Sequence, residues 1–276
     1  MKSIYYHSAD HDGHCSGAIA KRYCELNGLE YELCPINYGD QMPDLTGKDI
    51  IMCDFSIEPE ALMRESFKKA NSFIWIDHHI SAINAFKDLN IEGLRNTELA
   101  ACELTWMYFF PNDKIPLGVT YLGAYDSWRH NGDVNILGYE WFLRSYETDP
   151  SIFDWEKEIF SASNEYIGTK TELGLISYNK DLQDWTSQMK NSFEKTIGNK
   201  SVLCLNSQSK GSMIFGSRLK DYDFVVIFYI TSKGMYKHSL YSAEGKEDVS
   251  VIAKTFGGGG HAHASGCHME RPIWEL

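Results

Sequence analysis

Ser72-Phe73-Ile74-Trp75-Ile76-Asp77-His78-His79 runs five strand-forming residues straight into one acid and two imidazoles. β-Branched and aromatic side chains suit a pleated, buried surface, so 72–76 predicts a buried strand. The abrupt change to Asp-His-His sets chemically competent groups at that strand's carboxyl end. The same arrangement occurs twice upstream. Ser3–His7 reads as a strand followed by Asp10 and Asp12, and Asp49–Asp54 (DIIMCD) reads as another that ends on Asp54. Tyr31–Pro35 is a further short apolar run. Between these runs, Ser16–Asn27 has helical spacing stopped by Gly28, and Pro59–Lys69 predicts a helix entered through Pro59. A short helix over Ser81–Phe86 and a longer one over Leu99–Phe110 follow. Such alternation predicts an α/β fold on a doubly wound parallel sheet.

Further along, the pattern is helical from Pro116 to Leu182 and breaks at Asn191–Lys200. Runs at Ser201–Leu205, Ser212–Phe215, Phe224–Ile230 and Met235–Ser242 then predict an antiparallel arrangement, with a hairpin turn at Ser232-Lys233-Gly234. A helix over Val249–Thr255 leads into Gly257-Gly258-Gly259-Gly260-His261. The expected organisation is an N-terminal α/β domain over 1–164, a helical connector over 165–196 and a smaller C-terminal α+β domain over 197–276.

Composition narrows the function classes. The net charge of −12 opposes a long, non-specific nucleic-acid groove, since such grooves are basic. Two bound divalent cations would still leave the chain acidic, so a short phosphate ligand held by metals fits better than a long strand. The seven scattered cysteines form no Cys-x-x-Cys pair, which argues against a zinc ribbon or a disulfide framework and for a reducing compartment. With no signal-peptide core at the start and no apolar run of the roughly 20 residues a bilayer crossing needs, the expectation is a cytoplasmic protein without membrane association.

In an open parallel sheet, neighbouring carboxyl ends converge on one ligand crevice. His7, Asp10, Asp12, Asp54, Asp77, His78 and His79 all follow predicted strands, and Asp126 in YLGAYDSW is an acid amid apolar residues that needs a partner to offset its burial. Each alone has a plainer reading. Asp10 or Asp12 could cap the following helix, Asp54 could cap the helix beyond Pro59, and Asp-His-His could be a surface turn. A metal site accounts for all of them together. That many carboxylates repel one another unless cations intervene, and mixed carboxylate–imidazole donors suit Mn²⁺ and related borderline ions.

HSADHDG (7–13), CDF (53–55), DHH (77–79) and the aspartate of AYDSW (124–128) resemble, in order, the four motifs of the DHH phosphoesterase superfamily. FGGGGHAHASG (256–266) resembles the glycine-rich motif of the associated C-terminal domain. The resemblance spans nearly the whole chain. It implies that His7, Asp10 and Asp54 hold one metal, and that Asp12, Asp54, His78 and Asp126 hold the other, with Asp54 bridging. It further implies that Asp77 orients His78 from behind and that His79 contacts phosphate. Gly258, Gly259, Gly260 and His261 would close on the substrate. The cofactor would be two Mn²⁺ ions per site, with Mg²⁺ or Co²⁺ as substitutes, activating a shared water.

Two departures accompany the match. Only Ser8 and Ala9 separate His7 from Asp10, where many members have three residues, and His11 and His14 are near enough to substitute for His7. A strand that often carries arginine has Tyr241 instead, a side chain able to stack on a base but not to fork onto phosphate. Lys254 and Arg218 are secondary candidates as phosphate anchors, while His263 and His268 read as surface residues.

Hydrolysis of short oligonucleotides or linear dinucleotides is the expected activity. A 3′,5′-bisphosphonucleoside phosphatase, a pyrophosphatase or a non-catalytic nucleotide sensor remain alternatives, and a processive exonuclease lacks the basic track it would need. A homodimer is compatible with the pattern.

Overall fold

A computed structural model describes residues 1–209 and 211–275, with the backbone alone at His261. The chain divides into two compact units, Met1–Tyr178 and Asn179–Leu276. Among the described residues no helix is long and apolar enough to cross a membrane.

The first unit opens with β1 (Lys2–His7), α1 (His11–Leu26), β2 (Tyr31–Ile36), β3 (Asp49–Cys53), α2 (Glu60–Lys69), β4 (Ser72–Ile76) and α3 (Ile80–Ala85). The four strands form one parallel sheet in the order β2-β1-β3-β4. Successive side chains on a strand face opposite sides, and both sides are buried. Ile4, Tyr6, Ile51, Cys53 and Ile76 pack with α1 and the later helices, whereas Tyr5, Ile50, Met52, Phe73 and Trp75 pack on the other side with Met63 of α2 and Ala82 of α3. Near-continuous apolar strands are the signature of a sheet covered on both faces. Each fully buried Ile contributes about 1.5–3 kcal/mol relative to exposure. The doubly wound parallel sheet read from the sequence is therefore present.

Next come α4 (Ala101–Phe109), α5 (Leu117–Asp126), α6 (Val134–Leu143) and α7 (Asn164–Met189). The last crosses from the first unit into the second. β5 (Phe193–Ile197), β6 (Lys200–Asn206), β7 (Phe224–Ile230), β8 (Tyr236–Tyr241), α8 (Val249–Thr255), β9 (Gly259–His261) and β10 (Ala264–Met269) complete the chain. These strands make a second sheet in the order β5-β6-β7-β8-β10-β9.

Four sequence expectations are corrected. The break at 191–200 contains β5, a polar edge strand whose middle residues are exposed, so it lacks the apolar signal of a core strand. Ser212–Phe215 is not a strand. A 3₁₀ segment, Ser212–Lys220, begins after Gly211 at φ 84° and crosses from β6 to β7. Because of that crossover β6 and β7 run parallel, and the sheet is mixed rather than antiparallel. Finally, α1 starts at His11 and not at Ser16, because Asp10 caps it: its carboxylate accepts the Gly13 N–H at 2.9 Å.

Candidate metal centre

β1 is flanked by β2 and β3, so the chain winds outward in both directions from it, and the carboxyl ends beside that switch point are where such sheets bind ligands. His7 is the last residue of β1, Asp54 follows β3, and Asp77, His78 and His79 follow β4. α1 returns directly over β1, so close that a Cβ on Gly13 would stand 2.0 Å from the His7 carbonyl oxygen. Only glycine permits that approach. It brings Asp10 and Asp12 beside His7.

Three donor groups result, each with its ligand atoms within 4.8 Å of one another: His7, Asp10 and Asp54; Asp12, His78 and Asp126; and Asp54, His78 and His79. His7 Nδ1 lies 2.9 Å from Asp10 Oδ2 and 3.6 Å from Asp54 Oδ2. His78 Nε2 lies 3.7 Å from Asp12 Oδ2 and 3.4 Å from both Asp54 Oδ1 and Asp126 Oδ2. All six residues expected as metal donors are thus brought together, with Asp54 reaching both imidazoles. His11 and His14, the possible substitutes for His7, are engaged elsewhere. His11 Nδ1 is 3.0 Å from Glu140, and His14 Nδ1 is 2.8 Å from the Thr148 hydroxyl.

Backbone geometry and packing hold this set. Asp54 sits at φ 55° in the left-handed region, which aspartate tolerates better than most residues, while its N–H bonds Ile76 O at 2.9 Å. Asp12 Oδ2 accepts the Ala101 N–H at 2.9 Å and Oδ1 the Cys102 N–H at 2.7 Å, so a helix N-terminus far along the chain fixes this carboxylate. His7 Nε2 lies 3.2 Å from Asn37 Oδ1. Donation to Asn37 keeps a proton on Nε2 and leaves Nδ1, on the cluster side, as the nitrogen that a cation would take. Sequence reasoning missed Asn37. Its position immediately after β2, matching that of the other donors after their strands, was the available signal.

Asp77 differs from its expected role. Its Oδ1 accepts the backbone N–H groups of His78 and His79 at 2.7 and 3.1 Å, and it lies 2.8 Å from His79 Nδ1. The carboxylate therefore orients the ring of His79, not that of His78.

The electrostatics match a site built for cations. Burial and then the Asp54 charge push Asp12 up to about 7, and burial followed by Asp12 does the same to Asp126, also to about 7. Burial also raises Asp54. Burial alone would lower His7 and His78, yet their carboxylate neighbours raise them to about 11 and about 10. Protons thus take the place a cation would occupy. His7 Nδ1 and Asp54 Oδ1 are buried without a hydrogen-bond partner, although each has an oppositely natured group within reach. Both atoms face opposing groups of the cluster, Asp10 at 2.9 Å from His7 and His78 at 3.4 Å from Asp54. Carboxylate oxygens and imidazole nitrogens fit divalent manganese, magnesium or a similar ion.

In the second unit, Gly259–His261 forms an edge strand on β10, with Gly260 opposite Ser265 and Gly259 opposite Gly266. The side chain of His261 lies outside the described residues. Arg218 donates to Ser192 and Tyr222, and the Tyr241 hydroxyl accepts the Gly211 N–H, so both have local structural partners. Lys254 is exposed on α8. His263 Nδ1 is 3.0 Å from the Ser242 hydroxyl.

No protein-family model matches the chain. An uncharacterized protein of Acanthamoeba polyphaga mimivirus is 29% identical over 231 residues, 80% of this chain and 53% of that protein. The chain thus spans about half the length of this curated relative. Among solved structures, the pGpG-specific phosphodiesterase PggH of Vibrio cholerae superposes with a TM-score of 0.59 at 11% identity, covering 97% of this chain and 92% of that one. An exopolyphosphatase-related protein of Bacteroides fragilis gives 0.54 at 15% identity over 99% and 88%. RecJ of Thermus thermophilus in complex with Mn²⁺ gives 0.52 at 13% identity, over 99% of this chain and 50% of RecJ. At such identities the likeness is one of fold.

Proposed function

We propose, starting from the DHH phosphoesterase fold of this chain, that it is a divalent-metal-dependent phosphodiesterase acting on short oligonucleotides or linear dinucleotides. The observation that carries the reading is Asp54: its two oxygens reach separate donor groups, Oδ2 toward His7 and Oδ1 toward His78, as a carboxylate bridging two ions must. His7, Asp10 and Asp54 would hold one ion, and Asp12, Asp54, His78 and Asp126 the other. Two ions so placed would supply Lewis acidity to the phosphoryl oxygens and acidify a water.

The chain's own residues do the remainder. Asn37 holds His7 in the tautomer that offers Nδ1. The N-terminus of α4 holds Asp12. Asp77 fixes the imidazole of His79, which would stand against the phosphoryl group and offset its charge, and such fixed groups supply most of the rate in phosphoryl transfer. In the second unit, the backbone of Gly258–Gly260 and the residue His261 would bind substrate phosphate. Similarity of fold to a pGpG-specific phosphodiesterase and the acidic net charge favour a dinucleotide over a long strand.

The test is a substrate panel with purified protein and Mn²⁺, Mg²⁺ or Co²⁺: 5′-phosphorylated dinucleotides, 3′,5′-bisphosphonucleosides and pyrophosphate. Preferential cleavage of the dinucleotides is expected. Release of phosphate from the bisphosphonucleosides alone would make it a phosphomonoesterase. Metal binding with no turnover of any substrate would make it a nucleotide sensor.

A further inference from the structure

Two residues beyond the Asp126 donor stands Trp128, and its backbone is unusual. Ser127 caps the end of α5, its N–H bonding Gly123 O at 3.1 Å, and Trp128 then turns left-handed at φ 59° with its N–H on Tyr125 O at 3.2 Å. That position after a helix belongs by preference to glycine, since any β-carbon is strained there and an aromatic side chain more than most. The strain is not offset by burial: Trp128 is 64% exposed. A bulky, strained and solvent-facing indole in the segment that follows a metal donor is costly where glycine would be unstrained, which points to a use for the ring.

The indole is the outer member of a ring ladder. Its centroid is 5.5 Å from that of His130, and the His130 ring stacks on Tyr125 at 5.6 Å with 23° between planes. Behind them the Arg144 guanidinium packs on Trp141 at 4.0 Å from its centroid and donates to the Tyr125 hydroxyl at 2.8 Å. The ladder stiffens the segment and presents the Trp128 ring to solvent. Two residue steps keep its Cα within about 7.6 Å of that of Asp126, so the indole is anchored on the turn that directly follows this donor.

We propose that Trp128 is the stacking platform for a nucleobase of the substrate, an inference that rests on the phosphodiesterase reading above. Aromatic stacking accepts every base, because every base has a π-face. The ligand it selects is therefore a phosphoester bearing a planar heterocycle, and a sugar phosphate or a bare polyphosphate gains nothing from it.

The experiment compares a 5′-phosphorylated dinucleotide with its abasic counterpart, which keeps the phosphodiester and lacks both bases. Trp128→Gly should melt at or above the wild-type temperature. It should raise KM for the dinucleotide by about 5- to 150-fold, the range that loss of one stacked base gives, and leave kcat/KM for the abasic compound unchanged. Trp128→Phe should recover part of the loss. An unchanged KM in Trp128→Gly, an equal loss on both compounds or a collapse of its melting temperature would overturn the inference. Should the wild type cleave neither compound, the phosphodiesterase reading fails, and the stacking inference is read from calorimetric Kd values for the same pair. A weakening confined to the dinucleotide upholds it, and equal Kd values in wild type and Trp128→Gly overturn it.

Discussion

Asp12 closes onto the first turn of α4 at Cys102, whose backbone N–H stands 2.7 Å from Asp12 Oδ1 while the same carboxylate's other oxygen accepts from Ala101 and lies 3.7 Å from His78. One side chain thereby serves both the packing of α1 against α4 and the donor set. Asp126, by contrast, lies 3.4 Å from His78 and is partly exposed at the end of α5. Removing Asp12 forfeits two backbone hydrogen bonds, worth about 0.5–1.5 kcal/mol each, and leaves two buried N–H groups without their acceptor. Asp12→Ala should therefore lose metal and also melt several degrees lower. Asp126→Ala should lose metal and melt in its absence like the wild type. Calorimetric metal titration and thermal melts in chelator measure both, and equal melting of the two variants contradicts the dual role.

Asp54 separates strain from function more sharply still. Its left-handed backbone costs about 1–2 kcal/mol relative to glycine, and its carboxylate is buried against two further acids. In chelator, Asp54→Gly should stay within about 1 kcal/mol of wild type, because relief of strain and repulsion offsets the lost contacts with His7 and His78. With Mn²⁺ present, the rise in melting temperature shown by the wild type should vanish, and with it all phosphoester turnover. A variant that still binds two ions would show that Asp54 does not bridge.

Much of this site was legible from local pattern. Apolar strands running into acid and imidazole predicted the sheet and the edge at which those groups gather, since the buried faces demand apolar residues up to the strand ends. What was missed lies in contacts between distant residues. Nothing in Ala101 or Cys102 announces that their N–H groups take Asp12, because every residue carries such a donor. Asn37 gains its role only because β2 pairs with β1 and sets His7 opposite Ile36, a register that its own sequence does not encode. The reassignment of Asp77 from His78 to His79 depends on side-chain rotation, which no spacing encodes. β5 escaped notice because an exposed edge strand needs no apolar face, and the parallel β6–β7 pair because the crossover over Ser212–Lys220 imitates a strand in composition.

Metal binding should stabilise the protein in a pH-dependent way. Without an ion, Asp12 and Asp126 are raised from 3.8 to about 7, and His7 and His78 from 6.5 to about 11 and about 10. Raised folded-state values mean that the folded form holds extra protons. Their contribution is present in full below the unfolded values and is lost as pH climbs through 7 for the acids and through 10 to 11 for the imidazoles. The chelated protein should therefore melt lower at pH 8 than at pH 5.5. An ion must displace those protons, so its affinity should rise with pH and its binding should release protons to buffer. At about 100 times its Kd an ion adds about 2.7 kcal/mol. The difference in melting temperature between Mn²⁺ and chelator should accordingly be larger at pH 8 than at pH 5.5, and a smaller one contradicts the assigned donors.

The glycine run of the second unit separates into a position packed against backbone and one with open space. A Cβ on Gly258 would stand 2.1 Å from the Gly266 carbonyl oxygen, a backbone atom that cannot step aside without breaking the β8–β10–β9 ladder. A Cβ on Gly259 would meet nothing within 4 Å, and its φ is ordinary. The fold thus needs glycine at 258 and is indifferent at 259. Gly258→Ala should lower the melting temperature and lower turnover only in proportion to the folded fraction. Gly259→Ala should gain a little stability through reduced unfolded-state entropy, about 0.4–1 kcal/mol. If the Gly259 backbone approaches phosphate, that same methyl group keeps the ligand away, and KM should rise while metal affinity stays as in wild type. Gly259→Ala with unaltered KM would leave this segment a strand edge and nothing more.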